Sequence, residues 1–217
     1  MPQTLLKEPL PAPVQLRQYG PTDPERPRVE AYIRRIYAER YQAQVKEFAP
    51  MLVGLHDCDG TLVAAAGYRD ADTGMLFLER YLDHSIDPLI SAAAGQAVER
   101  GAIAEVGNLA ASDTGSARLS IIAITYLLAM GGLEWVTFTG NIGLVNSFHR
   151  LGLKPVTLCA ADPERLGEER HHWGSYYESQ PWVHVGNIRA GFIHLRNIGL
   201  FTRLGLPTSL EGAFHVA

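Results

Sequence analysis

Apolar residues recur along this chain in two rhythms, and the change from one to the other marks out most of its elements. Val29, Ile33, Ile36 and Tyr37 fall at helical spacing, with Arg34, Arg35, Glu39 and Arg40 on the other side, which predicts a helix after the proline-bearing stretch 21–27. Tyr32, Tyr37 and Tyr41 give that helix an aromatic edge, suited to packing on a sheet or to walling a ligand cleft. The apolar runs 51–56 and 61–68 flank Asp57-Cys58-Asp59-Gly60. An Asp-Gly turn between strand-like runs predicts a hairpin, because glycine accepts the positive φ such turns require. Ala64-Ala65-Ala66-Gly67 is small for a strand; small side chains admit a close neighbour or ligand, or fit a crowded sheet. Residues 75–78 read as a third strand, and a helix is expected from Pro88 to Val98, ended by Gly101.

The middle of the chain alternates strand and helix. The strand 102–110 bears Glu105, the loop 112–117 is built of small residues, and a long apolar helix is expected to start at Arg118. A second strand covers 134–139, a shorter helix follows within 141–153, and a strand runs from Pro155 to Cys159. Free backbone N–H groups at a helix start, among small residues, bind an anion without side-chain charge. Gly115, Ser116 and Ala117 are placed for this, and Arg118 adds a cation. Trp173, Tyr176, Tyr177, Pro181 and Trp182 then crowd one region, before Val183-His184-Val185-Gly186 and an apolar segment through Phe192, Ile193 and Leu195. Such a cluster forms either a satellite core or an apolar surface for a chain, a partner or a lipid.

Composition narrows the function. The 217 residues are 47% hydrophobic and 19% charged, ordinary for a globular protein, and the net charge of −4 argues against non-specific nucleic-acid binding. Cys58 and Cys159 have no framework spacing, and reduced, buried thiols are expected. No metal-ligand motif is present; His171 and His172 are adjacent, so they do not share a helix face. The N-terminal stretch 1–19 has no continuous apolar h-region. The longest uncharged stretch, 119–133, falls short of the ~20 apolar residues of a membrane span. The expected location is the cytoplasm.

The run Asn141-x-x-Leu144-x-x-x-Phe148-x-x-Leu151-Gly152-Leu153 is similar to the last helix and turn of the GNAT-type N-acyltransferases. A wider set resembles the thermostable hemolysin family, itself similar to acyl-homoserine-lactone synthases. It comprises residues 30–43, Leu76-Phe77-Leu78-Glu79-x-Tyr81-Leu82, Glu105-Val106-Gly107-Asn108-Leu109-Ala110, Trp135-Val136-x-Phe138-Thr139 and Trp173-Gly174-x-Tyr176-Tyr177. The resemblance implies an α/β (α+β) fold: a GNAT-like twisted mixed sheet with helices on both faces and a splayed central strand pair. One domain is expected over 28–195, after an extended lead-in at 1–27 and before an exposed tail at 196–217. It further implies that the pantetheine arm of an acyl-CoA or acyl carrier protein lies between strands 105–110 and 134–139. Backbone groups at Leu109 and Ala110 would polarise the thioester carbonyl, Gly115, Ser116, Ala117 and Arg118 would hold the donor phosphate, and Asn141 and Phe148 would border the site.

Amine attack on a thioester needs a base, and Glu105 is the first candidate. Alternation places its side chain opposite those of Ala104 and Val106; an outward salt bridge is the plainer account. Glu79 is a second candidate, as base or as partner of the acceptor's amine. Phe148 stands where many GNAT enzymes have a proton-donating tyrosine, so the thiolate leaves unaided or Ser147, His149 or Tyr126 serves. Three readings follow. One is an N-acyltransferase acting on an amine or amino acid, with a local cluster of Arg26, Arg28, Arg34 and Arg35 for any carrier-protein docking. The others are a hemolytic, membrane-active protein and a non-catalytic thioester-binding protein. The segment 197–217 is a candidate homodimer contact.

Overall fold

The computed structural model describes residues 14–207. Seven strands form one sheet in the order β1-β2-β3-β4-β5-β7-β6. They are β1 (Gln15–Tyr19), β2 (Met51–His56), β3 (Leu62–Asp70), β4 (Ile103–Ala111), β5 (Trp135–Gly140), β6 (Val156–Ala160) and β7 (Trp182–Asn187). The helices are α1 (Arg26–Tyr41), α2 (Ile86–Ala94), α3 (Thr114–Met130), α4 (Ile142–Arg150), α5 (Ile188–Asn197) and the single turn α6 (Leu200–Arg203). Every strand pair is antiparallel except β4 with β5. This is the implied mixed sheet, and it is covered on both faces.

Alternation along β4 shows how the faces divide. Ala104 packs with Ile124 and Leu128 of α3, whereas Ile103 packs with Ile86 and Ile90 of α2. On β2, Val53 joins the α3 side and Leu52 the α1 side. Period-2 geometry thus sends neighbouring residues into different cores. The helix predicted after residue 27 is α1, with Val29, Ile33, Ile36 and Tyr37 buried as expected. The hairpin turns at Gly60, whose φ is +77°.

Three boundaries differ from expectation. Residues 75–78 are not a strand: Phe77–Tyr81 is a 3-10 turn, and β3 pairs directly with β4. The cause is visible in the donors. The Leu76 N–H goes to Glu79, and those of Phe77 and Leu78 go to Glu105, so none is left for a ladder. The helix expected at 88–98 is α2, which ends at Gly95 in the left-handed region (φ +70°). Helix α3 begins at Thr114, ahead of Arg118, because the Asp113 side chain accepts from Gly115 and Ser116 N–H and caps it.

The termini also differ. Gln15–Tyr19 of the expected lead-in is a sheet strand, and Leu200, Phe201 and Leu204 of the expected exposed tail are buried against α3 and α5. In the described part of the candidate dimer contact, these three residues pack on their own chain while Asn197, Ile198, Thr202 and Arg203 are exposed. The rest, 208–217, lies outside the described residues, as does 1–13 of the lead-in. Cys58 is exposed, not buried, and both thiols are free. Among the described residues no helix is long and apolar enough to cross a membrane.

Candidate functional site

Strands β4 and β5 pair only from Ile103↔Trp135 to Val106↔Phe138, although β4 continues to Ala111 and β5 to Gly140. Beyond that point they part, which is the expected splay. A bulge sits at the parting. On β3, Ala65 faces Ala110 and Gly67 faces Gly107, so Asn108 and Leu109 both oppose Ala66. Asn108 takes φ +50°, a conformation asparagine tolerates better than most residues. Its Oδ1 accepts from Ala49 N–H at 2.9 Å and its Nδ2 donates to the Glu47 carbonyl at 3.2 Å. A Cβ on Gly67 would lie 2.7 Å from Ala49 Cβ and 2.9 Å from Asn108 Oδ1. The glycine in that small-residue strand makes room for the bulge.

Glu105 stands just before the bulge, on the α2 side of the sheet. Its two oxygens accept from the N–H groups of Phe77 and Leu78, each at 2.8 Å. Burial pushes this carboxyl up, against the pull of those two N–H groups and of Arg69. The result is a carboxylate fixed in orientation and made a stronger base than a free glutamate.

A cavity of about 680 Å³ opens around it, within the usual size of small-molecule sites. On the α2 side it is walled by Tyr37, Phe77, Tyr81, Trp173 and Tyr176, with Arg69, Glu105 and the loop 44–49. On the α3 side it is walled by Ile121, Ile124, Leu128, Val136, Phe138, Phe148, Leu153 and Ile188. The splay joins the two halves, so the cavity passes through the sheet. The aromatic edge of α1 fulfils both expectations: Tyr37 lines the cavity while Tyr32 is buried and donates to the Val63 carbonyl at 2.6 Å. Trp173 and Tyr176 likewise pack on Tyr37 and face the cavity.

The candidate residues are brought together only in part. Glu105, Leu109 and Phe148 line the cavity; Ala110 is buried beneath α1 instead. Glu79 is also absent from the lining. Its oxygens accept from Leu76 and Ile86 N–H at 2.8 and 2.9 Å and from Arg100 at 2.6 and 2.8 Å. Burial pushes its carboxyl up, but Arg100 and the two N–H groups outweigh that and hold it below the ordinary value. It is a structural anion. Gly115, Ser116, Ala117 and Arg118 lie outside the lining as well. The first-turn amides of α3 have an internal partner: Gly115 and Ser116 donate to the Asp113 carboxylate and Ala117 to its carbonyl. The Ser116 N–H, with the Ser112 hydroxyl, holds the Asp113 carboxyl down at about 2. A phosphate there has to displace a carboxylate.

Asn141 caps α4, its side chain accepting from Leu144 N–H at 3.1 Å. Phe148 stacks on Phe138 with centroids 4.7 Å apart. Ser147, His149 and Tyr126 do not reach the cavity; Ser147 donates to the Gly143 carbonyl and Tyr126 packs on Phe192 and Phe201. Arg26 cannot join a docking cluster, since it is buried and bonded to Glu30 and to the Ala49 and Pro50 carbonyls. Arg69 carried no signal in the sequence, and Asn108 entered only as part of the block 105–110, without a role of its own. An asparagine interrupting a strand is the one visible signal, of the bulge.

Several solved structures share this fold. TofI, in a ternary complex with an inhibitor and MTA, has a TM-score of 0.53 at 14% identity, covering 91% of this chain and 99% of that chain. BjaI, a CoA-dependent acyl-homoserine lactone synthase solved with SAM and isopentyl-CoA, has a TM-score of 0.55 at 12% identity, covering 89% and 90%. FeeM, an N-acyl amino acid synthase from uncultured soil microbes, has a TM-score of 0.52 at 14% identity, covering 83% and 94%. No curated protein matches the chain in sequence. The family model described as thermostable hemolysin matches residues 19–192. That span is most of the 217 residues, and the chain belongs to the thermostable hemolysin family.

Proposed function

We propose that this protein is an N-acyltransferase that moves an acyl group from an acyl-CoA or acyl-carrier-protein thioester to a small amine or amino acid. The observation that carries the reading is a cavity running through the β4–β5 gap with an oriented, half-buried carboxylate in its wall. The thioester lies in the gap, beside the bulge at Asn108 and Leu109, where one residue is left out of the ladder and its backbone is free to meet the carbonyl oxygen.

The acceptor nitrogen attacks the thioester carbon. A C–N bond forms, the C–S bond breaks, and the nitrogen's proton passes to Glu105, directly or through one water. The sulfur departs as a thiolate and takes a proton from water, which a thiol of pKa near 8.5 does readily; Glu105 returns its proton to solvent. Phe148 then needs no acidic group, and its stacking on Phe138 fits a wall residue. Donor and acceptor yield one amide and one thiol.

Thiol release from acyl-CoAs and acyl carrier proteins, measured against pooled amines and amino acids, tests the reading. Release is expected to require an acceptor and to fall roughly 10²- to 10⁴-fold in Glu105→Gln. Donor binding without release under any pairing would leave a thioester-binding protein and no enzyme.

A further inference from the structure

One cation in the cavity has no role in the transfer just described. Arg69 of β3 is the direct partner of Glu105 across the β3–β4 ladder, so both side chains rise from the same face of the sheet. Both line the cavity. Arg69 donates to the Met75 carbonyl at 3.1 Å and forms no salt bridge among the described residues. A guanidinium carries five N–H donors in a fork that fits a carboxylate. The other cations of the lining, Lys46 and Lys154, are both exposed, and Lys46 Nζ lies 2.7 Å from His172 Nε2.

We propose that Arg69 is the subsite for the carboxylate of the acceptor, and that the acceptor is an α-amino acid with an aromatic or other apolar side chain. The proposal rests on the N-acyltransferase reading and names its substrate class. An α-amino acid carries its amine and carboxylate on one carbon. Glu105 and Arg69, neighbours across one ladder position, offer the complementary pair: a base for the amine and a fork for the carboxylate. The side chain then meets Phe77, Tyr81, Trp173 and Tyr176, all in the same half of the cavity. An amine without a carboxylate would offer the Arg69 fork no anion beyond the Glu105 carboxylate across the ladder, which is occupied by two backbone N–H groups.

The test compares phenylalanine with its decarboxylated analogue phenethylamine, using decanoyl-CoA and a decanoyl carrier protein as donors. It uses the full chain, Arg69→Met and Arg69→Lys. The unsubstituted protein is expected to prefer phenylalanine. Arg69→Met should lose roughly 10- to 100-fold in kcat/KM for phenylalanine, the cost of a charged hydrogen-bonded contact, chiefly through KM. The phenylalanine-to-phenethylamine ratio of kcat/KM, in which the pull of Arg69 on Glu105 cancels, should fall by that factor, and Arg69→Lys should recover part of it. Equal losses on both acceptors would make Arg69 a structural residue or a tuner of Glu105 and overturn the proposal, as would a native preference for phenethylamine.

Calorimetric titration of phenylalanine and phenethylamine into the donor-free protein separates this from the parent reading. Phenylalanine binding that Arg69→Met abolishes supports the carboxylate subsite even if no thiol is released, in which case only the transferase reading fails. Failure of the native protein to bind phenylalanine more tightly than phenethylamine overturns the subsite whatever the kinetics.

Discussion

Two carboxylates, Glu79 and Glu105, lie against the same 3-10 turn yet are tuned in opposite directions. Glu79 meets four donors and is held below its ordinary value; Glu105 meets two and is pushed up by burial. Their substitutions should separate cleanly. Glu79→Gln leaves Arg100 with Asp87 alone as a charged partner and sets an amide NH2 against backbone donors, so it should cost ~2–4 kcal/mol of unfolding free energy. Its folded fraction should bind donor normally. Glu105→Gln should instead lose turnover with the smaller stability loss, because no buried cation depends on it. Urea denaturation beside thiol release reads both, and a stable but inactive Glu79→Gln would reverse the assignment. The family resemblance singled out Glu105 in the sequence, where alternation alone fitted an outward salt bridge as well, and the contrast with Glu79 was illegible. It depends on Arg100, 21 positions away, and on amides that only the turn aims. Arg69 was illegible for a related reason: its place opposite Glu105, 36 residues later, is set by strand register and a bulge.

At the level of elements, local signals were read well where one periodicity ruled and badly where side chains took over the backbone's hydrogen bonds. The buried stripe of α1 and the Asp57–Gly60 hairpin follow from spacing and turn chemistry alone. The supposed strand at 75–78 failed because carboxylates from Glu79 and Glu105 took its amides, a tertiary fact that no local pattern contains. The start of α3 was legible in principle, since Asp113 before Thr114 is a capping signal. That cap yields a signed pH dependence. The folded Asp113 carboxyl lies at about 2, below the ~3.9 of an unfolded aspartate, so its contribution is complete above pH ~4 and is lost as pH falls through the folded value. Because the residue is exposed, the contribution is that of a surface cap, ~1 kcal/mol. Asp113→Ala should thus be less stable than the native chain by about that amount at pH 6, and the gap should close as pH drops toward 2. A gap independent of pH would mean that the charge on Asp113 plays no part in the cap.

For the whole molecule, the consequence of splaying β4 from β5 is a conduit between the two cores that the sheet otherwise separates. One mouth holds Glu105, Arg69 and the aromatic wall; the other arm runs between α3 and α5 among Ile121, Ile124, Leu128, Leu153 and Ile188. If acyl transfer occurs at the parting of the strands, the amine side and the acyl side lie on opposite faces, and the apolar arm takes the chain. Gly191 of α5 lines that arm. A Cβ there would lie 3.4 Å from Leu153 Cδ2 and 3.6 Å from Thr125 Cγ2, ordinary contact distances. Gly191→Ala should therefore be tolerated and gain up to ~1 kcal/mol of helix stability. Gly191→Leu adds a branched side chain to the lining and shortens the space for the donor. Each methylene kept out forfeits ~0.8 kcal/mol, so excluding two or three should lower kcat/KM for decanoyl or dodecanoyl donors roughly 15- to 60-fold. Acetyl and butyryl donors, which do not reach α5, should react unchanged. Thiol release across a ladder of acyl-CoAs, measured on the native protein and both variants, decides the matter. An equal loss at every chain length would place the acyl group on the aromatic side and the acceptor on the other, exchanging the two halves of the cavity.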